Sequence, residues 1–176
     1  MTKPLNDFMR LFDANLTLDN SLVAENGNRY YLLNEGMKGF IKEGFLCAGT
    51  YLGETRGGRF MPSFMFLTMI AETARNKTYV DEKTAWLFIC GRDIFRRGIT
   101  KMTGATGRNN CTLVMNKFGE CLGFGRVVAD LNQKAETMVV TNIVDIGDFL
   151  RRERQKPWSY VAREDHASGL TKRLRK

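Results

Sequence analysis

Apolar residues at Leu5, Phe8, Met9 and Phe12 stand at i, i+3, i+4 and i+7, the spacing of one helical stripe, and Pro4 suits the first turn of that helix. Ala14 to Asn28 is polar, with Asp19-Asn20 and Asn26-Gly27-Asn28 as turn signals. Arg29 to Leu33 then reads as a strand, and Asn34 as the cap of a short helix carrying Met37, Phe40 and Ile41. Phe45 to Leu52 reads as a second strand. Glu54 to Arg59, with its paired glycines, is the turn of a hairpin whose return strand runs from Phe60 to Phe64. Phe66, Met69, Ile70 and Thr73 keep helical spacing as far as Arg75.

Arg75 to Lys83 is polar and lacks strong periodicity, and the pattern changes beyond it, so a domain boundary is placed at about residue 80. Trp86 to Cys90 is wholly apolar and predicts a short strand. Gly91 to Gly98 predicts a short helix closed by Gly98. Thr103 to Asn110 predicts a flexible loop, followed by strands at Thr112–Asn116, Leu122–Ala129 and Met138–Ile143. Asp145 caps a last helix through Arg152. Several short strands with tight turns point to a small barrel over residues 81–156. Residues 157–176 hold little apolar content and end in Lys172-Arg173-Leu174-Arg175-Lys176, which predicts a mobile basic tail.

Charge sharpens this division. The chain carries 27 Lys and Arg against 19 Asp and Glu, a formal net charge of +8. Residues 1–90 hold ten of each sign, whereas residues 91–176 hold seventeen cations against nine anions, so the whole excess lies in the second half. A neutral half joined to a basic half suits a partner that is a polyanion, nucleic acid first. No apolar run reaches the roughly 20 residues of a membrane span, and the start lacks the apolar stretch of a secretory signal. An intracellular, soluble protein is expected, with no membrane partner. Cys47, Cys90, Cys111 and Cys121 are widely separated and the one histidine is His166, so the expectation is four buried thiols, without a metal or other cofactor.

No catalytic arrangement stands out. The single histidine lies in the polar tail, and Thr103 to Asn110 lacks the Gly-Lys-Ser/Thr ending of a phosphate loop. Asp145 and Asp148 are explained by capping. The basic constellations carry more. Arg92, Arg96 and Arg97 fall on the expected short helix, where Arg92 and Arg96 share a face, followed by Lys101 and loop residue Arg108. Arg151, Arg152, Arg154 and Lys156 crowd the end of the last helix, four cations where the helix dipole explains one or two. Leu122-Gly123-Phe124-Gly125-Arg126 places two glycines in a strand. That signals either a tight barrel bend or a place where a nucleic-acid backbone lies close, and Arg126 tilts the reading to the second.

Taken together, Trp86–Cys90, Gly91-Arg92-Asp93-Ile94-Phe95-Arg96-Arg97-Gly98-Ile99, Leu122-Gly123-Phe124-Gly125 and Val144-Asp145-Ile146-Gly147-Asp148-Phe149-Leu150-Arg151-Arg152-Glu153 resemble a PUA domain. Over about residues 1–155 the chain resembles the Nip-seven family of large-ribosomal-subunit biogenesis factors. Tyr30-Tyr31-Leu32, Gly49-Thr50-Tyr51-Leu52-Gly53 and the run from Arg59 to Arg75 support this in the first half. The resemblance implies an α+β chain: an N-terminal α/β domain with an antiparallel sheet and flanking helices, residues 1–80, then a PUA-type β pseudo-barrel. It implies binding to single-stranded, uridine-rich RNA, with pre-rRNA as the target and pre-ribosomal proteins as partners of the first domain. Its RNA-binding positions map onto Arg151 and Arg152, and at a looser spacing onto Arg154 and Lys156. The tail beyond residue 157 lies outside the resemblance.

The expectation is therefore a monomeric, non-catalytic RNA-binding factor in pre-rRNA processing and large-subunit assembly. It would be cytoplasmic in an archaeon, and nucleolar, nuclear and cytoplasmic in a eukaryote. Two alternatives remain open at this point. One is a PUA-bearing RNA-modification enzyme or its accessory subunit; the other is a basic adaptor that meets an acidic protein.

Overall fold

The computed structural model describes residues 2–41, 47–132 and 134–148. The first half begins with α1, Lys3–Arg10, which buries Leu5, Phe8 and Met9 as its stripe predicts. A helix of eight residues is marginal in water, so packing holds it. Asp19 caps a 3-10 turn at Asn20–Leu22. The antiparallel hairpin of β1 (Val23–Asn26) and β2 (Arg29–Leu32) follows, its tip formed by the expected Asn26-Gly27-Asn28 signal. β1 is half-buried and poor in apolar residues, which is why its pattern reads as loop. Asn34 caps α2, Glu35–Lys38, through the Met37 amide at 2.9 Å. The next hairpin, β3 (Thr50–Arg56) and β4 (Arg59–Pro62), turns at Gly57-Gly58. α3, Phe64–Thr73, is capped by Ser63, whose Oγ accepts the Phe66 amide at 3.1 Å. The four strands form an antiparallel sheet in sequence order.

The second sheet has six strands in the order β6-β10-β9-β8-β5-β7. They are β5 (Lys77–Val80), β6 (Ile94–Phe95), β7 (Ile99–Thr103), β8 (Cys111–Met115), β9 (Cys121–Val127) and β10 (Met138–Asp145). Only β5 and β8 run parallel; the sheet curls into a pseudo-barrel around Val80, Phe88, Ile94, Ile99, Val114, Val127, Val139 and Val140. Here two sequence expectations are corrected. The polar stretch Arg75 to Lys83 holds β5 at Lys77–Val80, and Asp81 in it caps a helix. Trp86–Cys90 is not a strand but the end of that helix, α4, Glu82–Ile89, which turns Phe88 into the barrel and leaves Trp86 and Leu87 exposed. A short apolar run does not distinguish strand from helix, and the deciding signal is the cap, where Asp81 Oδ1 accepts the Thr84 amide at 2.7 Å. Gly91–Gly98 is not a helix; it holds β6 and a 3-10 turn at Arg96–Gly98.

The two halves share one core. On β8, Cys111, Leu113 and Met115 face the first half while Val114 faces the barrel interior. Phe124 of β9 meets Phe8 and Phe12 edge-on, with ring centroids 5.6 and 5.5 Å apart, and Phe66, Leu67 and Ile70 of α3 close the same cluster. Asn76, 5% exposed, ties the seam with polar bonds. Its Nδ2 donates to Leu11 O at 3.2 Å, its Oδ1 accepts the Ala105 amide at 2.8 Å, and its backbone joins Phe12 and Leu113.

The glycines of β9 resolve the question they raised. A Cβ on Gly123, which sits at φ +143°, would strike the Val144 carbonyl, and one on Gly125 would come within 2.5 Å of Thr141 O and Val140 Cγ1. Both are filled by the close approach of β10. The barrel bend accounts for the two glycines. The cysteines divide as well: Cys111 and Cys121 are buried as expected, whereas Cys47 and Cys90 are exposed. Cys90 lies beyond the last turn of α4, on a run that reads as buried only if it is a strand.

Two outcomes follow. Far-UV and near-UV signals will report a single urea transition, and Phe124→Ala will lower the stability of the whole chain by about 3–5 kcal/mol; two separate transitions would contradict a shared core. In mass-resolved alkylation of the native protein, Cys47 and Cys90 will react first. Cys121, whose thiol burial pushes up to about 11, will stay unmodified at neutral pH until the chain unfolds.

Candidate nucleic-acid interface

The cations of the second half do not form one patch. Arg92 leaves the turn before β6, with its backbone amide on Leu87 O, and its side chain is exposed. Arg97 is exposed in the 3-10 turn after β6, with its amide on Ala135 O. Arg96, expected on the same helix face as Arg92, points elsewhere. Its Nε donates to Leu131 O at 2.6 Å and its Nη1 to Ile99 O at 3.4 Å, and its backbone amide bonds Thr137 O. Arg96 therefore clamps the segment before β10 onto the start of β7.

Lys101 stands on β7 beside Tyr79 of β5, its Nζ 5.7 Å from the ring centroid. A similar pair occurs at the β8–β9 turn, which the sequence reading passed over. Lys117 Nζ lies 5.0 Å from the Phe118 ring centroid and bonds Glu82 Oε2 at 2.7 Å, and Phe118 is 76% exposed. The Lys117 ammonium holds the Glu82 carboxyl below its ordinary range. An exposed ring carrying a cation is the pairing that stacks bases of a single strand. The legible signal is Lys117-Phe118-Gly119 at a hairpin tip. Between α3 and the β5–β8–β9 strands lies a cavity of about 650 Å³ walled by Phe64, Tyr79, Met115 and Leu122.

Arg108 and Arg126 are brought together at the other end of the β8–β9 ladder. The loop holding Arg108 is stitched to β9 by Asn109 N to Val127 O at 2.7 Å and Val127 N to Asn110 O at 2.9 Å. Arg126 is exposed and pairs across the ladder with Cys111 on one side and Thr141 on the other. Burial raises the Cys111 thiol, and the Arg126 guanidinium beside it works in the opposite direction. Next to this loop are two arginines of the first half, Arg10 and Arg75, which the charge-neutral sum of that half conceals.

At the end of β10 the chain is anchored by half-buried polar bonds. Asn142 takes Asp93 Oδ1 on its amide at 2.8 Å and donates its Nδ2 to Phe88 O at 2.9 Å and Asp145 Oδ2 at 3.2 Å. Asp145, 2% exposed, accepts the Asp148 amide at 2.8 Å, the cap expected there. Arg151, Arg152, Arg154, Lys156 and the tail lie outside the described residues. Among the described residues no three His, Cys, Asp or Glu side chains converge as metal ligands, and no helix is long and apolar enough to cross a membrane.

Residues 76–154 match the family described as UPF0113 PUA domain. The chain is 35% identical over 111 residues to a UPF0113 protein of Archaeoglobus fulgidus, covering 61% of this chain and 63% of that protein, just under two thirds of its length. It is 25% identical over 132 residues to the 60S ribosome subunit biogenesis protein NIP7 homolog of Dictyostelium discoideum, covering 70% of this chain and 74% of that one. Among solved structures, a conserved PUA domain protein from Thermoplasma acidophilum superposes with a TM-score of 0.57 at 20% identity, over 84% of this chain and 89% of the other. Both sheets thus fall within a known fold. The second half of the chain is similar to the UPF0113 PUA domain, and the relatives it matches are consistent with the Nip-seven resemblance.

Proposed function

We propose that the protein is a non-catalytic RNA-binding factor of large-ribosomal-subunit assembly, acting in pre-rRNA processing. The observation that carries this reading is the PUA match over residues 76–154 in a chain that is also similar, over 132 residues, to a ribosome-biogenesis protein. Cations distributed over the barrel supply affinity through phosphates, and exposed rings such as Phe118 supply contact with unstacked bases. The first 75 or so residues form the half that meets pre-ribosomal proteins, and the barrel from Asn76 onward forms the half that meets RNA. Single-stranded, uridine-rich segments of pre-rRNA are the proposed ligand, bound by one copy of the chain.

In this reading Arg151 and Arg152 lead the phosphate contacts, with Arg92, Arg97, Lys101, Arg108, Arg126, Arg154 and Lys156 in support. Arg96 holds a loop in place. Binding of oligouridine, followed by fluorescence anisotropy across a salt series, tests the division. R151A/R152A will weaken binding and flatten the log–log salt slope by about 1.4, the share of two single-strand phosphate contacts. Equal affinity and slope in that variant would remove these two residues from the interface.

Arg96→Ala will behave differently from Arg97→Ala. It will lower the melting temperature, through a loss of about 1–3 kcal/mol, and leave the slope intact; Arg97→Ala will leave the melting temperature intact and lower the slope by about 0.7. Incubation of the pure protein with transfer and ribosomal RNA will leave every nucleoside unaltered, and a modified nucleoside would assign the chain to RNA modification instead.

A further inference from the structure

The seam between the two halves carries a groove of about 620 Å³ at the Cys111 end of β8. Its walls come from both halves: Arg10, Leu11 and Asp13 from the end of α1, Arg75 and Asn76 from the junction, and the loop from Gly104 to Asn110. Arg126 adjoins it through its cross-strand partner Cys111, and Arg108 lies within the loop. Two arginines of the charge-neutral half, Arg10 and Arg75, therefore line one concave seam, with Arg126 of the basic half adjoining it through Cys111 and Arg108 in the loop beside it.

The acids nearby do not cancel them. Asp7 pairs with Arg10 at 3.7 Å and Asp13 with Arg75 at 3.6 Å, and the arginine side chains remain 82% and 78% exposed. Exposed pairs this long contribute little, so both guanidiniums are available to a stronger acceptor. The groove itself is rigid. Asn76 fixes the loop to α1, Gly104 takes a left-handed φ of +71° where a Cβ would strike Asn76 Oδ1, and β9 holds the loop at Asn109 and Asn110. Asn109 and Asn110 line the groove, and their carboxamides both donate and accept.

We infer that this groove is a second RNA-contacting site, which takes the phosphodiester backbone of a strand crossing from the barrel to the first half. This rests on the RNA-binding reading and extends it to Arg10 and Arg75. The cations here are all arginine, whose planar fork matches phosphate oxygens at two points. Their placement on successive elements suits a ligand with repeated anions, and the carboxamides suit the ribose hydroxyls and base edges between those anions.

The test uses the full chain, an oligouridine of about 20 nucleotides and poly-glutamate as a second probe. The variants are R10A/R75A, R108A/R126A and, as a control of equal charge change in the same half, K38A/R59A, both of whose parent side chains are exposed. R10A/R75A will keep the parent melting temperature, flatten the salt slope by about 1.4 and lower affinity about 10- to 30-fold at 0.1 M salt. R108A/R126A will shift the same way, and K38A/R59A will match the parent. If the parent binds, R151A/R152A weakens it and R10A/R75A does not, the groove is not an RNA site and the RNA-binding reading stands. Loss of poly-glutamate binding in R10A/R75A with RNA binding intact gives the groove to an acidic protein and overturns the inference. A parent that fails to retain RNA at low salt removes both.

Discussion

The face of the second sheet that carries Leu113, Met115 and Phe124 has no solvent-compatible state of its own. That face is buried because α1 and α3 of the first half lie across it. Phe124 against Phe8 and Phe12 is the centre of that contact. A barrel detached from the first half would expose this apolar surface, and α1 detached from the barrel is too short to persist. Each half therefore needs the other to bury its surface. Asn76 makes the dependence directional, since its four bonds admit only one placement of α1, β8 and the loop at residues 104–110. Everything argued about charge depends on this seam, because it fixes where the cations of one half stand relative to those of the other.

With the seam fixed, the excess charge of the second half resolves into distinct jobs. One arginine, Arg96, closes the barrel by binding carbonyls, which takes up part of its guanidinium in a half-buried position. Two lysines lie against aromatic rings at the Met115 end of β8. Arg108 and Arg126 gather at the Cys111 end, where the first half contributes Arg10 and Arg75. A sum over residues sees the total and misses this division. It also misses Arg10 and Arg75 altogether, because an equal number of acids elsewhere in the first half cancels them on paper while standing far from the groove or pairing with them weakly.

The legible parts of the sequence were those with a local physical cause. The stripe on α1, the Asn34, Ser63 and Asp145 caps and the β8, β9 and β10 strands are each decided by residues within a turn or a strand of one another. Two errors share one origin. Trp86–Cys90 looks like a strand because its run is apolar throughout, yet two of its large side chains face solvent on a capped helix. Gly91–Gly98 looks like a helix because its arginines are spaced like one, yet β10 draws Ile94 and Phe95 into its ladder. In both, what decides lies outside the run itself: the Asp81 cap for the first, and β10, more than 40 residues on, for the second. The glycines of β9 are the converse. They were noticed, and only the carbonyls of β10 say what they are for.

The site was less legible than the fold for a related reason. An arginine has the same letter whether it binds a carbonyl or a phosphate, and five donors on a planar group serve both. What separates the two is how many of those donors the fold has already taken. Arg96 has lost two to Leu131 and Ile99 in a half-buried position, whereas Arg10 and Arg75 keep most of their surface and face only distant carboxylates. Rigidity then decides how useful the free ones are. Arg126 stands on a central strand, Arg10 on a packed helix and Arg75 beside the Asn76 staple, so a bound phosphate chain need not order the backbone beneath it. A nucleic-acid surface built this way draws its affinity from the same shared core that makes the two halves inseparable.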